Sequence, residues 1–291
     1  MKNIKFKTYF QMIIVWIITA NIGHSQGYYK PDNTTQKKTV FPWPEGKMTA
    51  ISLTFDDARL SQVDKGIPVL DRYNVKGTFY VSLRSVEERI DAWKKAADKG
   101  HDIGNHTLLH ACSVNLGSGR GGLENYTMER MKEEIDSAEK VIKNILGVET
   151  FSFAYPCGQT FIGRGLDTRS YVPLIATLFE TGRGWMDEAP NDPWNCDMAQ
   201  LTGMKLDGLS FDQAKQLIES AKKSGKWLIL AGHNMNETGT GLTTFLSTIE
   251  EICRYASDPA NAIWIDNVHN IASYIKQKRS EVANAAELKS Y

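Results

Sequence analysis

Between residues 49 and 278, short apolar runs alternate with amphipathic helical stretches, and nothing else in the chain restricts its fold so strongly. Residues 49–55 alternate small and apolar side chains as a buried strand does, and a helical period follows at 62–73. A second strand is expected at 77–81, a helix at 86–99 stopped by Gly100, and a short strand at 101–104. Residues 128–146 place Met131, Ile135, Ala138, Val141, Ile142 and Ile145 on one helical face, with Gly147 as the stop. Strand 151–155 comes next, and the alternation runs less clearly through 170–179 and 199–206. Ser210-Phe211-Asp212-Gln213 then forms a capping box, followed by strand 227–231, helix 244–255, strand 263–265 and helix 271–278. Repeated strand–helix units of this kind predict an α/β fold whose parallel sheet closes into a barrel.

Several charged and histidine residues fall where these strands end. Thr54-Phe55-Asp56-Asp57 closes the first strand, and adjacent residues there point in different directions, so one Asp can bind a metal while the other faces a substrate. About fifty residues on, His106-Thr107-Leu108-Leu109-His110 carries two histidines at i and i+4, a spacing that puts both rings on one side of a helical turn. One Asp with two His suits a borderline divalent ion with open coordination positions, zinc in the first place, with cobalt, nickel or manganese as alternatives. An Asp pair alone would read as a solvated turn, and a His pair alone as core or surface decoration. Together and in this order they indicate a site.

The same two motifs, with Phe153-Ala154-Tyr155-Pro156-Cys157-Gly158 and Leu228-Ile229-Leu230-Ala231-Gly232-His233, resemble in order and spacing those of the polysaccharide deacetylases, carbohydrate esterase family four. The resemblance runs from residue 47 to 276. It implies a distorted, incomplete (β/α) barrel with about seven parallel strands, with functional residues at the C-terminal strand ends. It also implies Asp56 as the base and Asp57, His106 and His110 as ligands of one divalent ion, which would polarise a carbonyl and acidify a water. His233 would protonate the leaving group. The backbone N–H of Cys157 matches the family's oxyanion donor, in a loop whose direction Pro156 sets after Tyr155.

Three departures from the family pattern bear on the chemistry. Ala154 stands where the family has an arginine, and Arg183, from the next strand, is the candidate to supply that charge beside Asp56. Ala231 replaces a leucine, which leaves the acyl pocket wider or filled from elsewhere. Residues 187–194 match the acidic–tryptophan fourth motif only loosely, with Asp192 as the candidate to support His233. Trp185 and Trp194 lie in this Gly/Pro-punctuated loop, as stacking surfaces for sugar rings or as core.

Composition restricts the remaining choices. With 42% hydrophobic residues among 291, one large core is possible, and a barrel of this length is commonly a single domain. Lys+Arg and Asp+Glu are equal at 34 each, so no broad attraction to nucleic acid is expected. Lys2, Lys5 and Lys7, the apolar run 12–18 and Gly23-His24-Ser25 read as an export signal over residues 1–25, with an uncleaved anchor as the alternative. Residues 26–46 read as an extended surface leader, 47–278 as the barrel and 279–291 as a polar tail. Cys112, Cys157, Cys196 and Cys253 allow three pairings; Cys112 and Cys157 would be neighbours if their two loops meet, and buried free thiols are the alternative. The glycine run 117–122 reads as an insertion beside the site rather than a nucleotide loop.

The expected activity is that of an exported, metal-dependent hydrolase removing N- or O-acetyl groups from an acetylated carbohydrate, whether chitin-like, peptidoglycan or xylan. It would have no nucleic-acid partner and no stable membrane partner after signal cleavage. Two rivals stand beside it: a non-carbohydrate amide or imide hydrolase on the same fold, and a catalytically inactive carbohydrate-binding module.

Overall fold

The structure is a computed structural model that describes residues 40–116 and 122–288, with side chains described to 285. The expected signal, most of the leader and nearly all of the glycine run lie outside the described residues.

Among the described residues, eight parallel strands form the main sheet: β1 (Thr49–Asp56), β2 (Thr78–Val81), β3 (Asp102–Asn105), β4 (Ser152–Ala154), β5 (Thr181–Arg183), β6 (Met204–Lys205), β7 (Trp227–Gly232) and β8 (Ile263–Ile265). Seven of them run in the order β5-β4-β3-β2-β1-β7-β6, and β8 pairs with the first residues of β1. Between β5 and β7 the circle is bridged by the short 201–205 segment, since Leu201 bonds to Arg183 and Met204–Lys205 pairs with β7. The result is the curled, distorted (β/α) barrel expected. All eight residues of β1 are buried, as a central parallel strand covered on both faces requires.

Strand alternation divides the packing. Ile51, Leu53 and Phe55 face outward to helices α1 (Ile67–Arg72), α3 (Ile90–Asp98), α6 (Phe211–Ser224) and α7 (Leu246–Ser257) through Leu70, Trp93, Ile218 and Ile249. Ala50, Trp227 and Ile229 lie on the other face, covered by Val268, Ile271, Ala272 and Ile275 of α8 (Val268–Leu288). Phe41 and Trp43 are wedged into this cluster and almost fully buried, so the last part of the leader is core rather than surface. Helix α8 continues through the segment expected as a polar tail, to Leu288.

The capping chemistry agrees with the sequence. Helix α4 (Met128–Leu146) starts at Thr127, whose side chain accepts from Arg130 N–H, and stops at Gly147 with φ 74°. Ser210 and Gln213 form the reciprocal capping box of α6. The expected helix 86–99 is instead two pieces, α2 (Leu83–Glu87) and α3, because Arg89 leaves helical geometry between them.

Candidate active site and metal centre

The chain turns sharply where β1 ends. Asp57 and Ala58 both take left-handed backbone, φ 75° and 51°, which costs free energy in non-glycine residues and persists only where surroundings over-determine it. The Asp57 N–H donates to Tyr80 C=O at 3.0 Å, which anchors the turn to β2. Asp56 therefore stays at the inner face while Asp57 swings toward the loop after β3. There Asp57 Oδ1 lies 3.7 Å from His106 Nε2 and 3.4 Å from His110 Nε2.

The two imidazoles converge, but not on a helical turn as their spacing predicts. Thr107 and His110 are left-handed, φ 61° and 51°, and break any helix. Side chains shape the loop instead: Asn105 Oδ1 accepts from Thr107 N–H, Thr107 Oγ1 from His110 N–H, and buried Glu134 from Leu109 N–H. Asn105 is itself fully buried and donates to Ile135 C=O and Glu139, so the loop starts from a core residue.

These three residues form a donor set that fits a divalent cation. His106 Nδ1 lies 2.9 Å from Ala154 C=O, an acceptor only, so the ring proton sits there and the Nε2 lone pair faces Asp57. Burial, with His110 close by, pushes the His106 imidazolium down to about 4, so the ring is neutral at physiological pH. Burial opposes ionisation of Asp57, but His106, His110 and Arg59 outweigh it and hold the carboxyl below its usual range. Arg59 grips Asp57 Oδ2 through Nε and Nη2, which leaves Oδ1 for the histidine side.

Asp56 has a different partner. Arg183, the last residue of β5, is completely buried and donates from Nη2 to Asp56 Oδ1 and from Nη1 to Gly184 C=O. Its guanidinium lies over the Tyr80 ring, 4.7 Å from the centroid.

His233 follows β7 and is bound twice by Asp207, which follows β6. Asp207 Oδ2 lies 2.6 Å from His233 Nδ1, and Oδ1 accepts from the His233 N–H and from Thr244 Oγ1. Burial alone would depress the His233 imidazolium, but the Asp207 hydrogen bond and the carboxylates of Asp56, Asp207 and Asp57 raise it above the ordinary value. Gln62 Nε2 donates to both Asp56 C=O and His233 C=O, tying the ends of β1 and β7 together. The Trp185 ring stands edge-on to His233 at 5.1 Å between centroids.

The third loop closes the arrangement. Cys157, φ 55°, sits in the tight turn Pro156–Gly158, and a disulfide joins it to Cys112, two residues after His110. Gly158 packs so closely on the Trp185 backbone that a side chain there would meet its N and O at 3.0 Å. Cys196 and Cys253 are free thiols.

A family model for polysaccharide deacetylase matches residues 32–163, which contain the Asp pair, the His pair and the Cys157 turn. Over that stretch, somewhat under half of the chain, the sequence is similar to the polysaccharide deacetylases. It is 28% identical over 122 residues to the peptidoglycan-N-acetylmuramic acid deacetylase PdaA of Bacillus subtilis, covering 42% of this chain and 43% of that protein. With a peptidoglycan-N-acetylglucosamine deacetylase of Bacillus cereus it shares 26% identity over 136 residues, 46% of each. The chain spans less than half the length of the curated relatives it matches. A crystal structure provisionally assigned as a polysaccharide deacetylase of Mycobacterium smegmatis superposes with TM-score 0.59 at 16% identity, over 82% of this chain and 93% of that one, a likeness of fold.

Set beside that family's motifs, the departures acquire places. Ala154 and Arg183 are register partners on β4 and β5, so the guanidinium arrives beside Asp56 from one strand over. The support expected from Asp192 comes from Asp207 instead: Asp192 accepts from Trp194 N–H and Asn195 Nδ2 and organises its own turn. Trp194 packs edge-on to Phe41 at 4.7 Å, in the cluster at the start of β1 and β7, at the end of the sheet away from His233. It is half-buried against that cluster, away from the site. The Tyr155 side chain likewise turns into the core, donating to Ala199 C=O at 2.6 Å, so only its backbone borders the site.

Proposed function

We propose that this chain is an exported, metal-dependent hydrolase that removes N- or O-acetyl groups from a carbohydrate polymer or oligomer. The observation that carries this reading is the convergence, at one end of the sheet, of the Asp57–His106–His110 set with two opposed proton-handling pairs, Asp56–Arg183 and His233–Asp207. The relatives named for peptidoglycan amino-sugar deacetylation make an N-acetylated glycan the first substrate to test.

Asp57, His106 and His110 would hold one divalent ion, zinc in the first place with cobalt, nickel or manganese as alternatives, which supplies Lewis-acid polarisation of the acyl carbonyl and lowers the pKa of water. Arg183 occupies Asp56 Oδ1, so Oδ2 takes the proton of the attacking water. The Cys157 N–H faces the oxyanion, a donor of a kind worth about 2.7–4 kcal/mol. His233, proton on Nε2 and Nδ1 held by Asp207, gives that proton to the departing amine or alcohol. Trp185 forms an apolar wall beside it.

The test is acetate release from acetylated chitooligosaccharide, xylan and peptidoglycan fragments, with and without chelator. Chelation should abolish release and added zinc or cobalt should restore it; release indifferent to chelator sinks the metal mechanism. Asp57→Ala, His106→Ala and His110→Ala should each lower metal affinity by more than about 100-fold, beyond what loss of a supporting residue costs, as read by metal content after dialysis. Full occupancy in all three variants would count against the ligand assignment.

Arg183→Met should lower turnover and destabilise the protein by about 3–5 kcal/mol, because a buried carboxylate loses its partner. Arg183→Lys should recover part of the stability but less of the rate, since a point charge cannot hold both Asp56 and Gly184 as the planar fork does. Denaturant titration and initial rates measure the two effects separately. Turnover near that of the parent in Arg183→Met would show that Asp56 needs no arginine.

A further inference from the structure

The Cys112–Cys157 disulfide spans two loops of the site, one carrying His110 and the other the Pro156–Gly158 turn. The His110 ring stands between two groups of ligand atoms. Its Nε2 faces Asp57 Oδ1 at 3.4 Å, and its Nδ1 faces Cys112 Sγ at 3.7 Å. A ring nitrogen of His110 and the sulfurs of Cys112 and Cys157 all lie within 4.8 Å of one another, as do the ligand atoms of Asp57, His106 and His110. His110 thus belongs to both groups.

A neutral imidazole offers one lone pair, because the other nitrogen carries the proton. While Cys112 Sγ is held in the disulfide it is only a weak acceptor, so the Nδ1 proton points at it and Nε2 remains for an ion beside Asp57. Breaking the S–S bond changes that choice. The freed sulfurs must part to van der Waals contact, roughly 3.8 Å, which is also the separation of two thiolates about 2.3 Å from a tetrahedral zinc.

We propose that reduction of Cys112–Cys157 creates a second metal site, formed by both thiolates and His110 Nδ1, which excludes the Asp57–His106–His110 site because both need the same imidazole. The reductant is a dithiol: the protein S–S bond breaks, a disulfide forms in the reductant, and two protein thiols result, each releasing a proton when it binds the ion. Cys157 is half-buried and Cys112 is buried, so the dithiol attacks the Cys157 sulfur. Thiolates favour soft and borderline ions over hard ones, so zinc or cobalt moves from the carboxylate to the sulfurs. His110 and Cys157 are both left-handed non-glycine residues, and the cross-link between their loops is what reduction releases. Deacetylation would then stop without loss of the metal from the protein.

This switch rests on the metal assignment proposed above, and cobalt(II) separates the two. Co2+ is titrated into the protein, oxidised and after phosphine reduction, and the absorption spectrum is recorded. The oxidised protein should show weak ligand-field bands that Asp57→Ala and His106→Ala abolish. The reduced protein should gain an intense thiolate-to-cobalt band that survives Asp57→Ala and His106→Ala, vanishes in Cys112→Ser and Cys157→Ser, and reverses on reoxidation. Oxidised protein that binds no cobalt overturns the metal assignment, whereas oxidised protein that binds it and gains no sulfur band on reduction overturns the switch alone. Unfolding on reduction, read by circular dichroism of the wild-type chain, would also overturn the switch, since the bond would then be a structural staple.

Discussion

Asp56→Asn should retain its metal and lose turnover by about 10²–10⁴-fold, the range general-base catalysis supplies. The amide keeps the shape of the carboxylate and can accept a hydrogen bond from Arg183, but it cannot accept the proton of the attacking water. A structural effect is superimposed on the chemical one. Arg183 is completely buried, and a neutral partner leaves its charge uncompensated, so the variant should also be less stable. The double variant Asp56→Asn/Arg183→Met separates them: removing both charges should recover stability relative to either single change, while turnover stays low. Metal content, denaturant midpoint and initial rate of acetate release are the three readouts. Near-parental turnover in Asp56→Asn would force the roles of Asp56 and Asp57 to be exchanged.

Much of this site was legible because chemistry in a barrel gathers at strand ends, and strands announce themselves by period. Asp56 and Asp57 follow the alternation of β1, and His233 follows the apolar run of β7. The path by which a group reaches the site was harder to read. His106 and His110 have helical spacing, yet the loop between them is non-helical, because Asn105, Thr107 and Glu134 bind its amides more effectively than a helix start could. Such local side-chain caps leave no period. Asp192 is suggested by the loose match to the fourth motif and Trp194 by its place in the same Gly/Pro-punctuated loop as Trp185, but nine residues of irregular chain are enough to carry Trp194 to the opposite end of the sheet.

The leader shows the same limitation. Residues 26–46 have no hydrophobic period, yet Phe41 and Trp43 are core, since two aromatic side chains can fill a gap beside α8 without belonging to any repeat. Arg183 was legible as a candidate because it ends a strand adjacent to the one where Ala154 leaves an arginine missing. Asp207 was not, although it obeys the same rule as Asp56: it stands just after a short strand, β6, in Met204-Lys205-Leu206-Asp207. A two-residue strand gives too little alternation for its end to be noticed.

That missed residue carries the second large expectation. Asp207 is buried and spends both oxygens on His233, with Thr244 as a further donor, so it fixes the ring orientation and the position of its proton together. Asp207→Asn would keep the approximate shape, but with the amide oxygen accepting from the His233 N–H and Thr244 its NH2 faces Nδ1, which then carries no proton, so the ring is held neutral and has no imidazolium proton to give from Nε2. A loss of about 10²–10⁴-fold in turnover is expected for a misassigned general acid. The sign of the pH effect follows from the same contact. His233 is raised above its ordinary value chiefly because Asp207 outweighs burial, and a general acid works only while protonated. Removing the carboxylate lowers the His233 pKa, so the residual activity should begin to fall at lower pH and the alkaline limb of the kcat/KM profile should move downward. A variant that merely loosened the fold would lower the rate at every pH and leave that limb in place. An unmoved alkaline limb in Asp207→Asn, with the protein folded and metal-loaded, would remove His233 from the role of acid and leave the leaving group to be protonated by Asp56.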